Sequence, residues 1–313
     1  MILRTLTQNS ALLLIAYPIT ILLILFSGVD ELAGHWSSAA QGIEWSWAWF
    51  VMLFLLVLAS SILINNLYNQ NELYAQPSYL VGWIYAFGSS IAMVQFPQLQ
   101  FWLGEFSLII ACTFLFQIFR QKRVYHLILL ASLFSGIAFL LNPIFIFLPL
   151  VILVGINLTR PFSIRETFLL IIGFLLPWIY LGCYQYAQGS GQYWELHPEI
   201  GLMNVERPLH LQFQFWLFLV IVVLAIIGVL HKDDRQTNKT QQSKNIILLL
   251  VLVSSSVYMG WSIWNAPKQL PLSTMPWLLI WGHYWTHYRT SLLAPIFFYL
   301  WLITNVLVFL HWV

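Results

Sequence analysis

The sequence predicts an all-α protein, a bundle of about eleven transmembrane helices (10–12) with its N-terminus in the cytoplasm. Of the 313 residues, 60% are hydrophobic and 8% are charged, whereas soluble domains carry about a quarter charged residues. The apolar residues form continuous runs of about 20 residues, the length that an α-helix needs to cross a bilayer. In hydrocarbon the backbone must satisfy its own hydrogen bonds, as a helix does. This composition excludes a soluble fold.

Eleven apolar runs are the predicted spans. They cover residues 11–27, 47–65, 78–95, 101–119, 124–141, 143–159, 166–184, 211–230, 246–264, 271–287 and 291–311. The pair divided at Asn142-Pro143 also fits one kinked helix, because proline interrupts helical hydrogen bonds. The first run resembles a signal peptide without a clear cleavage site, so we expect a retained anchor. A charged cytoplasmic connector, 231–245, separates a front membrane section, 1–230, from the C-terminal helices, 246–313.

Lysine and arginine predict the orientation, because short basic loops stay in the cytoplasm. With a cytoplasmic N-terminus, Arg207 and Lys268 fall outside and the other eleven of the 13 basic residues fall inside. Six acids fall outside: Asp30, Glu31, Glu44, Glu195, Glu199 and Glu206. The pattern predicts a multi-pass membrane protein surrounded by membrane lipids. Its acidic outer face favours cations, including a divalent metal.

The first outer loop holds the candidate catalytic residues, Asp30 and Glu31. Carboxylates close to a bilayer are unfavourable unless they are hydrated or paired, and a carboxylate can act as a general base. A solvated turn accounts for the same two acids without any ligand. Both interpretations are open at this point.

A long outer segment, 187–210, holds the candidate substrate-binding residues. These are aromatic, acidic and basic side chains among glycines and serines: Trp194, Glu195, His197, Glu206 and Arg207. Aromatic rings stack on sugars, carboxylates accept hydroxyl hydrogens, and arginine binds phosphate. The alternation Glu195-x-His197-x-Glu199 has no partner motif for a metal, so we assign no metal ligands.

The end of the second predicted helix leads into an inner loop that is rich in amides and has no lysine or arginine. An ordinary inner loop is basic, so this composition indicates a polar crevice or a site for a membrane-protein partner. The candidate partner-binding residues are Asn66, Asn71 and Glu72. Asparagines also cap helices and form tight turns, which is the alternative explanation.

A single acid, Glu105, and a pair of histidines, His283 and His287, also lie in apolar runs. Glu105, in the first turns of the fourth helix, is a functional candidate, unless it reaches the nearby surface or stabilises the helix N-terminus. His283 and His287 share a helix face, but an interfacial cluster explains them more simply than metal or haem ligation. The chain has no P-loop and no nucleotide fingerprint. We therefore expect no haem, no nucleotide and no nucleic-acid partner.

Three patterns run through most of the chain. They are Ile64-Asn65-Asn66 with Asn69-Gln70-Asn71-Glu72-Leu73 before a helix at Ser78-Tyr79, then Phe119-Arg120-Gln121-Lys122-Arg123, and Arg160-Pro161-Phe162-Ser163-Ile164-Arg165-Glu166 before Gly173-Phe174-Leu175-Leu176-Pro177. Together they resemble an inner-membrane family of Bacteroidota, domain of unknown function 6427. The resemblance implies a membrane location and no particular activity.

A second resemblance rests on layout. A helix, an outer loop that opens with two acids, and many further helices with one large outer loop are similar to the GT-C glycosyltransferases, and Pro177-Trp178 before an outer loop resembles a feature of that superfamily. Those enzymes take sugars from polyprenyl-phosphate carriers at the outer face. The resemblance implies that Asp30 or Glu31 is the catalytic base or helps to hold a metal.

Two functions follow as hypotheses. The first is a GT-C-like glycosyltransferase at the periplasmic face, in which Asp30 or Glu31 deprotonates the acceptor and Arg207 compensates the carrier phosphate. The alternative is a non-enzymatic scaffold or partner subunit of an envelope-assembly machine, with its contact at the amide-rich inner loop. A secondary transporter is disfavoured by the scarcity of mid-membrane ionisable residues, although Glu105 would then couple protons.

Overall fold

The computed structural model describes residues 12–28, 46–71, 78–95, 99–118, 124–160, 163–188, 247 and 293–312. Within these ranges the chain forms helices and no strands. The helices are α1 (Leu12–Ser27), α2 (Ser46–Gln70), α3 (Leu80–Gln95), α4 (Leu99–Ile118), α5 (Tyr125–Leu141), a 3-10 helix (Pro143–Phe147), α6 (Leu148–Thr159), α7 (Ile164–Ala187) and α8 (Leu293–Trp312). The prediction of an all-helical protein is confirmed for this part of the chain.

Three of these helices are long and apolar enough to cross a membrane: Phe50–Gln70 within α2, Leu99–Ile118 and Ile164–Ala187. The described chain also has shorter apolar helices, at Ile15–Ser27, Leu80–Val94, Tyr125–Leu141 and Pro143–Leu158. Three predicted spans, 211–230, 246–264 and 271–287, lie outside the described residues except for Ile247, as does the charged connector 231–245. Membrane-spanning capacity is therefore established for three helices, and the total of about eleven stays a prediction.

The described helices belong to two compact units. The first unit contains α1, α2, α3 and α8, and the second unit contains α4, α5, the 3-10 helix, α6 and α7. The first unit thus combines the first three helices with α8 from the C-terminal end of the chain, whereas the second unit is formed by consecutive helices.

In the first unit, α3 is the central helix, and it contacts α1, α2 and α8. Almost all of its side chains are buried, and small residues such as Gly82 and Ala86 let its neighbours approach closely. Its aromatic rings reach α8, where Phe87 lies 5.7 Å from the ring of Trp301. Unlike α3, which is buried almost all round, α1 buries only one face and exposes apolar residues such as Leu23 and Phe26 on the other. Exposed apolar side chains of this kind suit lipid.

In the second unit, α5 is central and contacts α4, α6 and α7. Two glycines bring α5 and α7 together: a Cβ at Gly136 would meet the carbonyl of Phe174, and a Cβ at Gly173 would lie 2.9 Å from the carbonyl oxygen of Leu129. These contacts advance in the same direction along both helices, so α5 and α7 run parallel. Much of the remaining surface of α7 is apolar and exposed.

The helix boundaries answer one open question and correct one expectation. Asn142 is extended, with φ −151° and ψ 121°, and its side chain accepts a hydrogen bond from the Ile144 backbone N–H, so the chain breaks at Asn142-Pro143 and does not form one kinked helix. The second helix was expected to end at residue 65, but α2 continues to Gln70. Asn65, Asn66 and Asn69 therefore lie in its last turns and not in a loop.

Candidate functional site

Most of the predicted site residues lie outside the described residues. This is true of the candidate catalytic acids Asp30 and Glu31, of Glu72, of the pair His283 and His287, and of the whole predicted substrate-binding set: Trp194, Glu195, His197, Glu206 and Arg207. Their roles stay predictions. The structure does describe Asn66, Asn71 and Glu105, together with a charged pair that the sequence reading did not select.

At the amide-rich end of α2, the two described partner-binding candidates, Asn66 and Asn71, lie in different environments. Asn71 is buried, and its side-chain Nδ2 donates to the carbonyl of Leu67 at 2.7 Å, while its backbone N–H donates to the same carbonyl at 3.3 Å. These bonds satisfy a carbonyl that the helix end would otherwise leave open. Asn66 is exposed instead. Of these two residues, Asn66 is the one whose amide can meet a partner.

Asn69 joins the end of α2 to the start of α3. Its Nδ2 donates to the carbonyl of Ser78 at 3.1 Å, and its Oδ1 accepts from the Ser78 backbone N–H at 3.1 Å. The Ser78 hydroxyl in turn accepts from the Leu80 backbone N–H at 3.2 Å, as an N-cap does. The expectation that asparagines form the turn is supported for Asn69 and Asn71. In this turn the amides hold the fold together.

A buried polar cluster lies beside this turn. The Tyr17 hydroxyl of α1 donates to the carbonyl of Tyr79 at 2.7 Å. The tyrosine ring fits because position 82 is glycine, where a Cβ would lie 2.8 Å from Tyr17 Cζ and 2.9 Å from Asn65 Cβ. Asn65 is 3% exposed, and its Oδ1 accepts no hydrogen bond within the described chain. That oxygen can accept from a buried water.

Glu105 is the most deeply buried acid in the described ranges. It lies in the second turn of α4 and is 0% exposed. The helix around it is closed by aromatic packing, because the ring of Phe101 lies 5.7 Å from that of Phe145 and Gly104 leaves room for Phe145. Full burial excludes the alternative in which this side chain extends to the surface. It remains a functional candidate on the ground that intramembrane acids usually have a role.

A second buried acid, Glu166, lies in the first turn of α7 and pairs with Arg160 at the end of α6. Arg160 NH1 lies 3.6 Å from Glu166 Oε1, a distance for an ion pair that is longer than a hydrogen bond. The Glu166 side chain is 9% exposed, and its Oε2 is buried with no hydrogen-bond partner in the described residues. A buried carboxylate without donors is unfavourable. Among the described residues, Glu166 Oε2 and Glu105 Oε2 are the two buried carboxylate oxygens without a hydrogen-bond partner.

The sequence does contain a signal for the pair of Arg160 and Glu166, within the third pattern that resembles domain of unknown function 6427. Arg160 and Glu166 flank a proline between two apolar runs, and an acid in the first turn of a helix is typical of an N-terminus. What the sequence did not indicate is that Glu166 points inward. Its burial follows from the packing of α7 against α5 and α6.

Metal-binding side chains are scattered within the described chain. No group of three or more His, Cys, Asp or Glu residues lies close enough there to hold a metal ion. The two cysteines are both free thiols, Cys112 buried in α4 and Cys183 exposed on α7. A divalent ion at the first outer loop stays a prediction that concerns residues outside these ranges.

Comparison with known proteins adds no further assignment. No family model, curated protein or solved structure matches this chain. The resemblances to domain of unknown function 6427 and to the GT-C glycosyltransferases therefore stay predictions.

Proposed function

We propose that this chain is a multi-pass protein of the bacterial inner membrane, with about eleven helices and a cytoplasmic N-terminus, that acts as a GT-C-like glycosyltransferase at the periplasmic face. Three membrane-spanning helices and the one-sided distribution of basic residues support this topology. In this orientation α4 begins at the outer face. Six of the 11 acids then face outward, and eleven of the 13 basic residues face inward.

In the proposed reaction a sugar moves from a polyprenyl-phosphate carrier to an acceptor hydroxyl. Asp30 or Glu31 takes the hydroxyl proton, the acceptor oxygen forms a bond to the sugar carbon, and the bond from that carbon to the carrier phosphate breaks. Arg207 offsets the charge of the departing polyprenyl phosphate. A divalent metal held by the same acids would stabilise that phosphate in a similar way.

The observation that supports chemistry in the outer half of the membrane is the burial of Glu105. It lies six residues after the start of α4, so it is about 9 Å below the helix end. A carboxyl wholly removed from water at this depth is unfavourable for a protein that only packs against lipid. It is expected where an outward site draws polar groups into the bundle.

The test uses the purified full-length protein in proteoliposomes. Undecaprenyl-phosphate glucose and undecaprenyl-phosphate mannose serve as donors, an envelope extract supplies acceptors, and release of undecaprenyl phosphate is measured. Loss of a general base lowers turnover by about 10²–10⁴-fold. We therefore expect Asp30→Asn or Glu31→Gln to lower turnover by a factor in this range. Glu44→Gln, another predicted outer acid, is the matched control and should retain turnover. Normal turnover in both loop variants contradicts the mechanism.

Glu105→Gln tests the supporting observation separately. We expect the variant to fold and to lose turnover, because the amide keeps the side-chain shape and removes the charge. If the variant turns over normally, the burial of Glu105 has nothing to do with an outer site. The donor assay and the loop variants are then judged without it.

The second candidate function is a partner subunit of an envelope-assembly machine, and the exposure of Asn66 favours it. Beside it Asn69 and Asn71 are occupied within the turn, whereas the Asn66 amide faces outward. A photo-crosslinking residue at position 66 should capture the protein that co-purifies with the native chain, and Asn66→Ala with Glu72→Gln should release it. Ile62, exposed one turn earlier on the same helix, is the control position. Equal capture from both positions contradicts a specific contact.

A further inference from the structure

The buried face of α7 continues into two exposed tyrosines. Six residues of this helix follow one another at alternating intervals of four and three, so they share one face. In order they are Glu166, Leu170, Gly173, Pro177, Tyr180 and Tyr184. The first three are buried, whereas Tyr180 is 69% exposed and Tyr184 is 60% exposed. The face that Gly173 turns towards α5 is therefore uncovered near the end of α7.

The uncovered part begins where α5 ends. A Cβ at Gly136 of α5 would meet the carbonyl of Phe174 and the ring of Pro177, so these residues lie at the same level. The two helices are parallel, and α5 ends soon afterwards, at Leu141. The last part of α7 therefore extends about two turns beyond α5. None of the residues from Ile179 to Gln188 is buried.

Pro177 interrupts α7 at this boundary. It has no backbone N–H to donate to the Gly173 carbonyl, and a proline ring crowds the carbonyl four residues earlier. The ring lies on the α5 side, because its Cδ is 3.2 Å from the position of a Cβ at Gly136. Crowding on this side displaces the following turns away from α5.

Ring contacts hold α7 to α5 at the level of the proline. The ring of Phe139 lies 5.7 Å from that of Phe174 and 5.3 Å from that of Trp178. Beyond them, the end of α5 leads into the 3-10 helix, where Ile146 is 54% exposed. Tyrosine rings can cover such an apolar surface while their hydroxyl groups stay at its polar edge.

We propose that Pro177 is a hinge about which the last turns of α7 bend. In the position described here Tyr180 and Tyr184 are exposed, and in a closed position their rings cover the end of α5 and Ile146. A bend of about 20° over the roughly 15 Å from Pro177 to Ala187 moves the helix end by about 5 Å. Because the chain continues into the predicted outer segment 187–210, bending moves the start of that segment. The inference does not depend on a transferase activity.

Two spin labels measure the bend in the full-length protein in lipid nanodiscs. One label is attached to the native Cys183, which is exposed on the last turns of α7, and the other to a cysteine introduced by Leu150→Cys, at an exposed position in the first turn of α6. Cys112 is buried and stays unlabelled. Pulsed electron paramagnetic resonance gives the distribution of distances between the labels. We expect two distances that differ by about 5 Å.

A control pair lies before the proline. Phe168→Cys and Tyr125→Cys, both at exposed positions, carry the labels in a Cys183→Ser background. The glycine contacts hold this part of α7 against α5. We therefore expect one distance for this pair. Two distances here as well would mean that the whole helix moves, which contradicts a hinge at Pro177.

Variants assign the two positions to named residues. Pro177→Ala restores an N–H to the Gly173 carbonyl and removes the ring, so one distance should replace the two. Tyr180→Ala with Tyr184→Ala should abolish the closed distance and leave the open one. Tyr186→Ala is the matched control: this residue is 74% exposed and lies on nearly the opposite face from Tyr184, so both distances should persist.

Three further results overturn the proposal. A single distance between Leu150→Cys and Cys183 in the otherwise native protein rules out the hinge, and this measurement decides the question even if another variant does not fold. Two distances that persist in Pro177→Ala show that the proline is not where α7 bends. A closed distance that persists without Tyr180 and Tyr184 shows that their rings do not form the closed position.

Discussion

The turns between helices in the two units differ in whether their polar side chains have hydrogen-bond partners. In the first unit, Asn69 and Ser78 exchange two hydrogen bonds and Asn71 closes the end of α2, so these two amides are satisfied within the fold. In the second unit, Glu166 is buried beside Arg160 with one oxygen lacking any donor in the described chain. A polar group that is satisfied within the fold stabilises the fold. A buried polar group without a partner is unfavourable for the fold instead.

The units also differ in how their helices make contact. In the second unit, α5 and α7 touch through glycines that leave no room for a side chain. In the first unit, a tyrosine hydroxyl reaches across and bonds to a backbone carbonyl above a glycine. Backbone contact is sensitive to any added atom, whereas a hydrogen bond contributes only about 1 kcal/mol net. Substitutions should therefore be more harmful between α5 and α7.

Gly173→Leu should have the largest effect on stability. A Cβ at this position would lie 2.9 Å from the carbonyl oxygen of Leu129 and would meet the Ser132 hydroxyl. Because one of these two obstacles is backbone, α5 and α7 must separate, and we expect a loss of about 3 kcal/mol or more in the free energy of unfolding. Thermal unfolding in detergent measures it. Ile172→Leu, at the exposed neighbouring position, is the control, and equal melting of the two variants contradicts the close contact.

Asn69→Ala should have the next largest effect, in the first unit. It removes both hydrogen bonds to Ser78, and at about 1 kcal/mol each we expect a loss of about 2 kcal/mol. Asn66→Ala removes the same side chain from an exposed position three residues earlier and should change stability by less than about 0.5 kcal/mol. The same denaturation assay compares them. If both variants are equally stable, the amides do not stabilise the turn.

The sequence predicted the helices better than it predicted their interactions. Continuous apolar runs place α1, α3, α5 and α7 within a few residues of their observed ends, because hydropathy in a bilayer depends on composition alone. The predicted end of α2 is too early, because asparagine favours turns, whereas here Asn65, Asn66 and Asn69 lie within the helix and the bonds of Asn69 and Asn71 are made at its end.

The candidate site was harder to predict, since burial of a single acid depends on contacts between helices that are distant in sequence. Glu105 was selected because it interrupts an apolar run, and its depth was left open between surface and interior. Glu166 follows directly after a short basic loop, where an acidic side chain is expected to be exposed to water. Its inward position depends on how α7 packs against α5 and α6, which local pattern does not contain.

Tyr17→Phe tests the hydrogen bond between α1 and α3. The hydroxyl donates to the Tyr79 carbonyl at 2.7 Å, but that carbonyl also accepts from the Trp83 backbone N–H at 3.1 Å within its own helix. Removing the hydroxyl therefore leaves no buried carbonyl unsatisfied, and we expect a loss of only about 1 kcal/mol. Ser90→Ala, which breaks a bond to the Ala86 carbonyl of the same helix, is the control and should be close to native. A loss for Tyr17→Phe as large as that for Gly173→Leu would contradict the comparison of the two units.

Glu166→Gln should have the smallest effect on stability, although it removes a buried charge. The ion pair with Arg160 is long, and the arginine is 29% exposed, so water compensates it when the carboxylate is lost. The substitution also relieves a carboxylate oxygen that had no donor. These effects oppose each other, and we expect a net change below about 1 kcal/mol in the free energy of unfolding, measured by the same denaturation assay. A variant that is much less stable than the native protein would mean that the pair holds α6 against α7, and the second unit would then resemble the first.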